Sequence, residues 1–271
     1  MKSKKSLEYK LDNYLVSEHP TGKRWISMSN ALAKAGHGLS LSEKRIVFAA
    51  MSKLDSYKPV HPGDVPITKI TALEYSEIFD VSLDTAYDQL QAASKVLYNR
   101  SIKFYEPAYS RKDKPIEPAT VHMRWVGSVH YHEGEGWVEL HWWPKLVKHL
   151  TGLRRQFTSY QLQHANALRS IYSWKLMELL MCFKSNGWAE YSVEDFSASM
   201  DAPEKHKKDF GKLRTKIIEP AISELTEKSG WKIQWRPIRL GRKVKAIRFD
   251  FICGSQESLL PSLNFTSDIL R

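Results

Sequence analysis

Hydrophobic and polar positions along this chain follow helical and strand periods in an order that occurs twice. In the first half, residues 40–43 (Ser-Leu-Ser-Glu) form a capping box that opens a helix. Residues 71–74 (Thr-Ala-Leu-Glu) form a second one, which opens a short helix ending near Phe79. Ser82 follows a tight turn and begins a longer helix. A short helix, a tight turn and a longer helix together indicate a helix-turn-helix.

Strand patterns follow these helices. Alternating apolar residues predict strands over residues 102–105, 121–131 and 137–142, and a Gly-containing turn joins the last two into a hairpin. A hairpin wing after a helix-turn-helix is typical of a winged helix. A short helix over residues 144–150 closes this half at Gly152. The apolar face of the longer helix is predicted to comprise Ala86, Leu90, Ala93 and Leu97.

The second half repeats this order. An apolar helix is predicted over residues 165–184, Ser192 caps a short helix, a further helix spans residues 207–227, and residues 231–251 form a hairpin. The predicted fold class is therefore α+β, with two tandem winged-helix domains. The predicted limits are a basic arm at 1–24, a first domain at 25–152, a second at 153–253 and a polar tail at 254–271.

The positive charge of the chain is concentrated in the second of these domains. Residues 204–245 contain 13 Lys or Arg against 5 Asp or Glu, a net charge of +8 within a chain of net charge +11. A basic helix and hairpin on a nearly neutral body indicate a protein that binds duplex DNA. Two cysteines without metal-ligand spacing, and the lack of a signal or membrane-spanning pattern, predict a cytoplasmic protein.

A helical wheel divides the basic helix of the second domain into two faces. Its apolar arc contains Arg214, which is predicted to be structural and paired with Glu178 or Asp195, and Pro220 predicts a kink. The opposite face suits entry into the major groove, although an ordinary solvated lysine face is the alternative. The hairpin tip is expected to contact phosphates. The predicted DNA-binding residues are Lys205, Lys208, Lys212, Thr215, Lys216, Arg239, Arg242 and Lys243.

The first domain is predicted to contribute less to DNA binding. The exposed face of its longer helix carries Asp84 and Asp88 beside Thr85, Gln89 and Gln91, and carboxylates repel phosphate. Auxiliary contacts, or dimerisation through an aromatic hairpin, are its expected roles. The alternative for those aromatics, Trp125, Trp137, Trp142 and Trp143, is packing in the core.

Several separated blocks resemble the theta-type plasmid replication initiators, the iteron-binding Rep proteins. The blocks are residues 41–45 (LSEKR), 75–79 (YSEIF), 153–160 (LRRQFTSY), 168–172 (LRSIY), 213–225 (LRTKIIEPAISEL) and the Gly-Arg-Lys hairpin at 241–243. The resemblance implies two winged-helix domains, monomers that bind direct repeats at an origin, and dimers that bind an inverted repeat and repress their own gene. It places the base-contacting positions on Lys208, Thr215 and Lys216. It further implies a host replication initiator, a replicative helicase and chaperones as partners.

Two other functions compete with this interpretation. His130 and His132, with Tyr172 downstream, fit the short patterns of rolling-circle nicking enzymes, in which a metal ion and a tyrosine cleave DNA. A dedicated transcriptional repressor would share the same fold. The expectation from the sequence is a non-enzymatic protein without catalytic residues, metal or cofactor, and no Gly-rich nucleotide-binding loop occurs in the chain.

Overall fold

The computed structural model describes residues 24–254, apart from positions 62, 107, 108, 112, 113, 117, 118 and 133. The predicted basic arm up to residue 23 and the predicted tail from residue 255 lie outside the described residues. The chain forms two compact units, one ending at Asn166 and the other beginning at Ala167. This boundary lies after the one at residues 152 and 153 that the hydrophobic pattern predicts.

The first unit combines short helices with small antiparallel sheets. Its helices are α1 (Asn30–Lys34), α2 (Leu41–Met51), α3 (Ala72–Phe79), α4 (Leu83–Leu97), α5 (Pro144–Val147) and α6 (Gln163–Asn166). Its strands are β1 (Trp25–Ser29), β2 (Ile67–Thr71), β3 (Ser101–Glu106), β4 (Tyr109–Arg111), β5 (Lys114–Ile116), β6 (Ala119–Arg124), β7 (Val126–His132), β8 (Trp137–Trp142) and β9 (Phe157–Gln161). The wing sheet has the order β2-β8-β7, and the pairs β1-β9, β3-β6 and β4-β5 complete the unit.

The late boundary between the units follows from the pairing of β9. This strand lies antiparallel to β1, with Ser27 opposite Ser159, and the two hydroxyl groups are 2.8 Å apart. Ladder hydrogen bonds therefore hold residues 157–161 in the first unit. No local pattern reveals a partner that lies more than a hundred residues away in the chain.

The single strand predicted over residues 121–131 is two strands in different sheets. The break falls at Trp125, which is fully buried and whose indole N–H donates to the His37 carbonyl at 2.8 Å. Before the break β6 pairs with β3, and after it β7 pairs with β8. The prediction of one strand was wrong because the buried Trp125 interrupts the alternation between the two faces.

The second unit repeats the winged-helix plan. Its helices are α7 (Ile171–Met181), α8 (Val193–Ser199), α9 (Glu204–Lys207), α10 (Phe210–Leu213) and α11 (Glu219–Ser229), with a π turn at Arg214–Ile218. Its strands β10 (Trp188–Ser192), β11 (Lys232–Leu240) and β12 (Lys243–Ile252) form one sheet of order β10-β12-β11. In each unit a strand ends at the residue that caps the first helix of the helix-turn-helix, Thr71 in the first and Ser192 in the second. The two winged helices predicted from the sequence are confirmed.

The apolar helix predicted over residues 165–184 is shorter than its hydrophobic pattern. Helix α6 ends at Asn166, and α7 begins at Ile171 with Ser170 as its N-cap. The backbone N–H groups of Arg169 and Ser170 donate to the Glu224 carboxylate at 2.7 and 3.1 Å. A carboxylate from α11 thus binds amide groups that a continuous helix would have used internally, and the chain turns before α7.

Local signals in the first unit are otherwise confirmed. Both capping boxes form, at Ser40 with Glu43 and at Thr71 with Glu74. The charged residues of the block at 41–45 are buried and structural: Glu43 accepts two hydrogen bonds of 2.8 Å from Arg100, and the Lys44 ammonium lies 4.6 Å from the centre of the Phe48 ring. The predicted apolar face of α4 is buried as well. Within the described residues, the helices are too short or too polar to cross a bilayer.

Candidate nucleic-acid interface

The helix that carries most of the predicted DNA-binding residues consists of three consecutive segments: α10, the π turn and α11. We call residues 210–229 the composite helix. It begins after Asp209, whose Oδ1 accepts the backbone N–H of Lys212 at 3.2 Å. This hydrogen bond lowers the pKa of the exposed Asp209 carboxyl. The sequence pattern predicts a start at residue 207, but the cap at Asp209 separates α9 from the composite helix.

A π turn lies directly before Glu219 and Pro220 in the composite helix. Proline has no backbone N–H, so an uninterrupted α-helix would leave the Lys216 carbonyl without its usual donor. In the π turn the N–H of Glu219 bonds to the Arg214 carbonyl, five residues earlier. Each residue of such a turn rotates less about the axis than in an α-helix, so a wheel drawn at the α-helical angle misplaces side chains around it.

Arg214 is one side chain that the α-helical wheel misplaces. The wheel predicts that it points inward and pairs with Glu178 or Asp195. In the structure its side chain is 51% exposed, and its Nε lies 3.5 Å from Oε1 of Glu219 on the same composite helix. The inward prediction was wrong, because the π turn lies where the wheel assumes α-helical rotation. Arg214 therefore adds a positive charge to the exposed surface.

The inner and outer faces of the composite helix are otherwise as predicted. Its buried residues are Leu213, Ile217, Ile218, Ala221 and Leu225. Lys212, Thr215 and Lys216 are exposed on the other side, in the first half of the helix. In helix-turn-helix proteins the N-terminal part of the recognition helix contacts base edges, so these three residues occupy the part of the helix suited to that role.

The three exposed residues differ in what they can offer DNA. The Thr215 hydroxyl donates to the Gly211 carbonyl at 3.0 Å, so its methyl group and oxygen lone pairs remain for a ligand. The Lys212 ammonium lies 3.4 Å from Asp209. Within the described residues, Lys216 has no acidic group at ion-pair distance, and its ammonium can donate to guanine O6 and N7 or to phosphate.

Lys205 and Lys208 are exposed but do not belong to the composite helix. Lys205 lies in α9, and Lys208 is the C-cap residue that follows α9. The turn capped by Asp209 separates both from Lys212. The single wheel that groups them with Thr215 and Lys216 is thus incorrect for these two positions. They form a short basic segment before the composite helix.

The wing is a two-stranded ribbon with a two-residue turn. Leu240 pairs with Lys243, and Gly241 adopts a φ of +63°, which suits the first central position of a tight hairpin turn. The predicted contacts Arg239, Arg242 and Lys243 are all exposed around this turn. Two features were missed from the sequence. The basic surface also includes Arg236 and Lys245, and the apolar side chain of Leu240 at the tip is 71% exposed.

The helix of the first unit that corresponds to the composite helix is acidic on its surface. Asp84 and Asp88 of α4 are exposed, as predicted. Gln89 is oriented toward the protein, because its side-chain carbonyl accepts the Tyr75 hydroxyl. Core packing explains two of the hairpin aromatics: Trp125 and Trp142 are fully buried.

The two histidines of the nicking-enzyme hypothesis, His130 and His132, contact different side chains. The His132 ring lies 5.0 Å from the Trp137 ring, whereas His130 lies beside Glu139 and His141. Burial raises the pKa of Tyr172, and the charge of Asp201 raises it further.

Two family models match the chain in succession. The model described as "Initiator Replication protein, WH1" matches residues 25–181, and that described as "Initiator Rep protein, WH2" matches residues 192–251. The second match contains the composite helix and the wing. The first extends into α7.

Two proteins of Escherichia coli and one crystal structure are similar to the chain over most of its length. The chain is 24% identical over 250 residues to the PI protein of Escherichia coli, covering 81% of this chain and 79% of that protein. It is 26% identical over 212 residues to an uncharacterized 27.6 kDa protein of Escherichia coli, covering 75% of this chain and 85% of that protein. The crystal structure of Pi initiator protein in complex with iteron DNA superimposes with a TM-score of 0.70 at 21% identity, covering 86% of this chain and 99% of that chain. This structural likeness confirms the fold.

Proposed function

The chain belongs to the initiator Rep protein family with two winged-helix domains, and from that premise we propose that it starts plasmid replication in the bacterial cytoplasm by binding tandem direct repeats at the origin. The composite helix of the second unit enters the major groove, and the wing contacts the flanking phosphates. Binding of monomers to successive repeats promotes opening of the adjacent duplex.

The observation that carries the proposal is the exposed basic surface of the second unit. Lys212, Thr215 and Lys216 project from the first half of the composite helix, and the wing adds Arg239, Arg242 and Lys243. Lysine ammonium groups reach base edges and phosphates, and short basic loops position a protein on the backbone. The similar fold of a protein described as bound to iteron DNA supports direct repeats as the ligand.

The first unit has a different role in this proposal. The exposed carboxylates on α4 oppose a close approach to phosphate, so this unit supplies auxiliary DNA contacts and the dimer interface. Dimers bind an inverted repeat and repress the gene of the protein itself, in equilibrium with the monomers that act at the origin. The host replication initiator, the replicative helicase and chaperones are the partners that the family membership suggests.

The proposed function is non-enzymatic. The chain has no Gly-rich nucleotide-binding loop, so binding energy and partner proteins drive the opening of the origin. A nicking assay tests this statement. Supercoiled origin DNA with Mg²⁺ or Mn²⁺ should remain uncut by the wild-type protein, whereas nicking that disappears with Tyr172→Phe would establish the enzymatic alternative.

Footprinting of the DNA beside the gene tests the main proposal. The wild-type protein should protect tandem direct repeats next to an AT-rich segment. Lys216→Ala should weaken specific binding by about 1–3 kcal/mol. Lys228→Ala removes the same charge at the far end of the composite helix and should leave the footprint unchanged, which makes it the matched control.

Each outcome has a distinct meaning. Protection of a lone palindrome without direct repeats would identify a dedicated repressor. An unchanged affinity of Lys216→Ala would remove this residue from the interface. Absence of any protected site in plasmid DNA carrying the gene would refute the initiator function.

A further inference from the structure

The solvent-facing side of the wing in the first unit gathers three potential metal ligands. His130 lies on β7, and Glu139 and His141 lie on β8. Alternate residues of a strand face the same side, so Glu139 and His141 share a face, and the register places His130 directly opposite Glu139. Val138 and Leu140, which alternate with them, are buried in the core. The two strands therefore place the three side chains together on the face opposite the core, with His130 exposed and Glu139 and His141 partly buried.

The donor atoms are close enough to share one ion. Nε2 of His141 lies 2.8 Å from Oε1 of Glu139, and Nδ1 of His130 lies 3.5 Å from the same oxygen. The two imidazole rings are 4.4 Å apart, and one ligand atom from each residue fits within a 4.8 Å group. Metal–nitrogen and metal–oxygen bonds of about 2.0–2.2 Å allow neighbouring ligand atoms at such separations after small side-chain rotations.

The chemistry of the three donors selects a class of metal. Two imidazole nitrogens and one carboxylate oxygen suit Zn²⁺ and similar first-row transition metals, whereas Mg²⁺ prefers oxygen ligands throughout. Three protein ligands leave at least one coordination position open to solvent. His130 is 54% exposed, so an ion can enter directly from water.

We propose that His130, Glu139 and His141 bind a divalent transition-metal ion. The ion joins β7 to β8 across the hairpin. Strand β7 lies at the edge of its three-stranded sheet, with β8 as its neighbour, so the ion adds a cross-strand link where the ladder has a single partner. Because the folded hairpin holds the three ligands together, binding should stabilise the native protein by mass action.

Two other histidines of the first unit serve as controls for the three proposed ligands. His132 is on the same face of β7 as His130, but its ring packs against Trp137 rather than against the three ligands. Replacing His132 removes one imidazole from the same strand and leaves the group intact. His122 on β6 lies in another sheet and provides a second control.

The test uses the full-length chain without a histidine tag, stripped of metal by a chelator. Zn²⁺ and Ni²⁺ are titrated against a chromophoric chelator, with Mg²⁺ in parallel, and the thermal midpoint is recorded with and without metal. The wild-type protein should bind one equivalent of Zn²⁺ or Ni²⁺, gain thermal stability and ignore Mg²⁺. His141→Ala, Glu139→Gln and His130→Ala should each weaken binding by at least roughly 10–100-fold, because the loss of even an outer-shell partner costs that much. His132→Ala and His122→Ala should bind as wild type.

Circular dichroism of each variant without metal should match that of the wild type, because the three side chains lie outside the core. Absence of a stoichiometric Zn²⁺ or Ni²⁺ site in the wild-type protein would overturn the proposal. Equal loss of binding in His132→Ala and His141→Ala would overturn it too, since it would place the ion elsewhere on the hairpin.

Discussion

Asp209 binds Lys212 twice: its Oδ1 caps the backbone N–H at 3.2 Å, and its Oδ2 lies 3.4 Å from the side-chain ammonium. One carboxylate therefore fixes where the composite helix begins and holds one of the lysines proposed to approach DNA. Both partners are exposed, so a phosphate could replace the carboxylate as the ligand of the ammonium. In the proposed function, one carboxylate therefore affects both the start of the helix and its affinity for DNA.

Asp209→Asn should bind specific DNA more tightly than the wild type. Asparagine caps a helix about as well as aspartate, so the start of the helix is preserved. The substitution removes a negative charge beside the phosphates and releases Lys212 from its ion pair. Electrophoretic mobility shift measures the affinity for DNA, and thermal unfolding shows whether the helix cap is preserved. Asp209→Ala is the control, since it also removes the charge but lowers the thermal midpoint by removing the cap. Weaker binding by Asp209→Asn would show that the carboxylate positions Lys212.

Arg214→Ala should change the free energy of unfolding by less than about 1 kcal/mol, because exposed ion pairs contribute little. Breaking a buried pair would cost about 3–5 kcal/mol. Urea denaturation measures the free energy of unfolding and distinguishes the small loss expected for an exposed pair from the large loss expected for a buried one. Glu219→Gln removes the partner of the pair and should show the same small effect. A loss above about 3 kcal/mol for Arg214→Ala would indicate the inward orientation.

Arg242→Ala should reduce the salt dependence of DNA binding. If about six phosphates are neutralised, a plot of log affinity against log salt concentration has a slope of roughly −5. The loss of one phosphate contact reduces the magnitude of this slope by about 1. The weakening should be similar on specific and unrelated DNA, since phosphates carry no sequence information. Gln234→Ala, an exposed neutral position on β11, serves as the control. A selective loss on the specific site would instead indicate a base contact.

Glu224→Ala should lower the free energy of unfolding by about 1–3 kcal/mol. Its carboxylate accepts the N–H groups of Arg169 and Ser170 at the start of α7, and hydrogen bonds to charged groups contribute on that scale. Glu227→Ala removes an exposed carboxylate from the same helix and should have a much smaller effect. Chemical denaturation with fluorescence detection provides the comparison. Equal losses for both variants would contradict the capping role.

Acid should destabilise the first unit partly through Glu74. Burial alone would raise the pKa of Glu74, but hydrogen bonds from Lys53 and from the Thr71 backbone, with the charge of Arg24, hold this pKa below its ordinary value. A depressed pKa in the folded state stabilises the fold above the unfolded pKa, and the stabilisation is lost as pH falls through the folded value. Burial lowers the pKa of Lys53 despite this pair, but Lys53 remains protonated throughout the acid range.

Thermal midpoints measured from about pH 7 down to about pH 3 should therefore fall less for Glu74→Gln than for the wild type. The variant should start from a lower midpoint at neutral pH, since it loses the ion pairs to Lys53 and Arg24. Glu77→Gln, an exposed position on the same helix, should follow the wild-type curve. Parallel curves for Glu74→Gln and the wild type would exclude Glu74 as a source of the acid dependence.

Short-range signals predicted much of the fold and of the candidate site. The capping boxes at Ser40 and Thr71, and the buried face of α4, depend on residues a few positions apart, whose geometry the helix itself fixes. The exposure of Lys216 and of the wing arginines followed from the same spacing rules. Predictions failed where a distant residue changed a local pattern. Glu224, distant in the chain, binds the backbone N–H groups before α7, and Trp125 splits a strand because its side chain enters the core.

The sequence by itself determined the two helix-turn-helix units with their hairpin wings and the concentration of net positive charge in residues 204–245, because these follow from local periodicity and composition. Only the tertiary structure decided that Arg214 faces solvent, that β9 belongs with β1, and that His130, Glu139 and His141 meet on one face. Each of these depends on a change in helical rotation or on strand register. Strand register is set by pairing between residues that are distant in the chain, and the change in helical rotation by a π turn that the α-helical period does not describe.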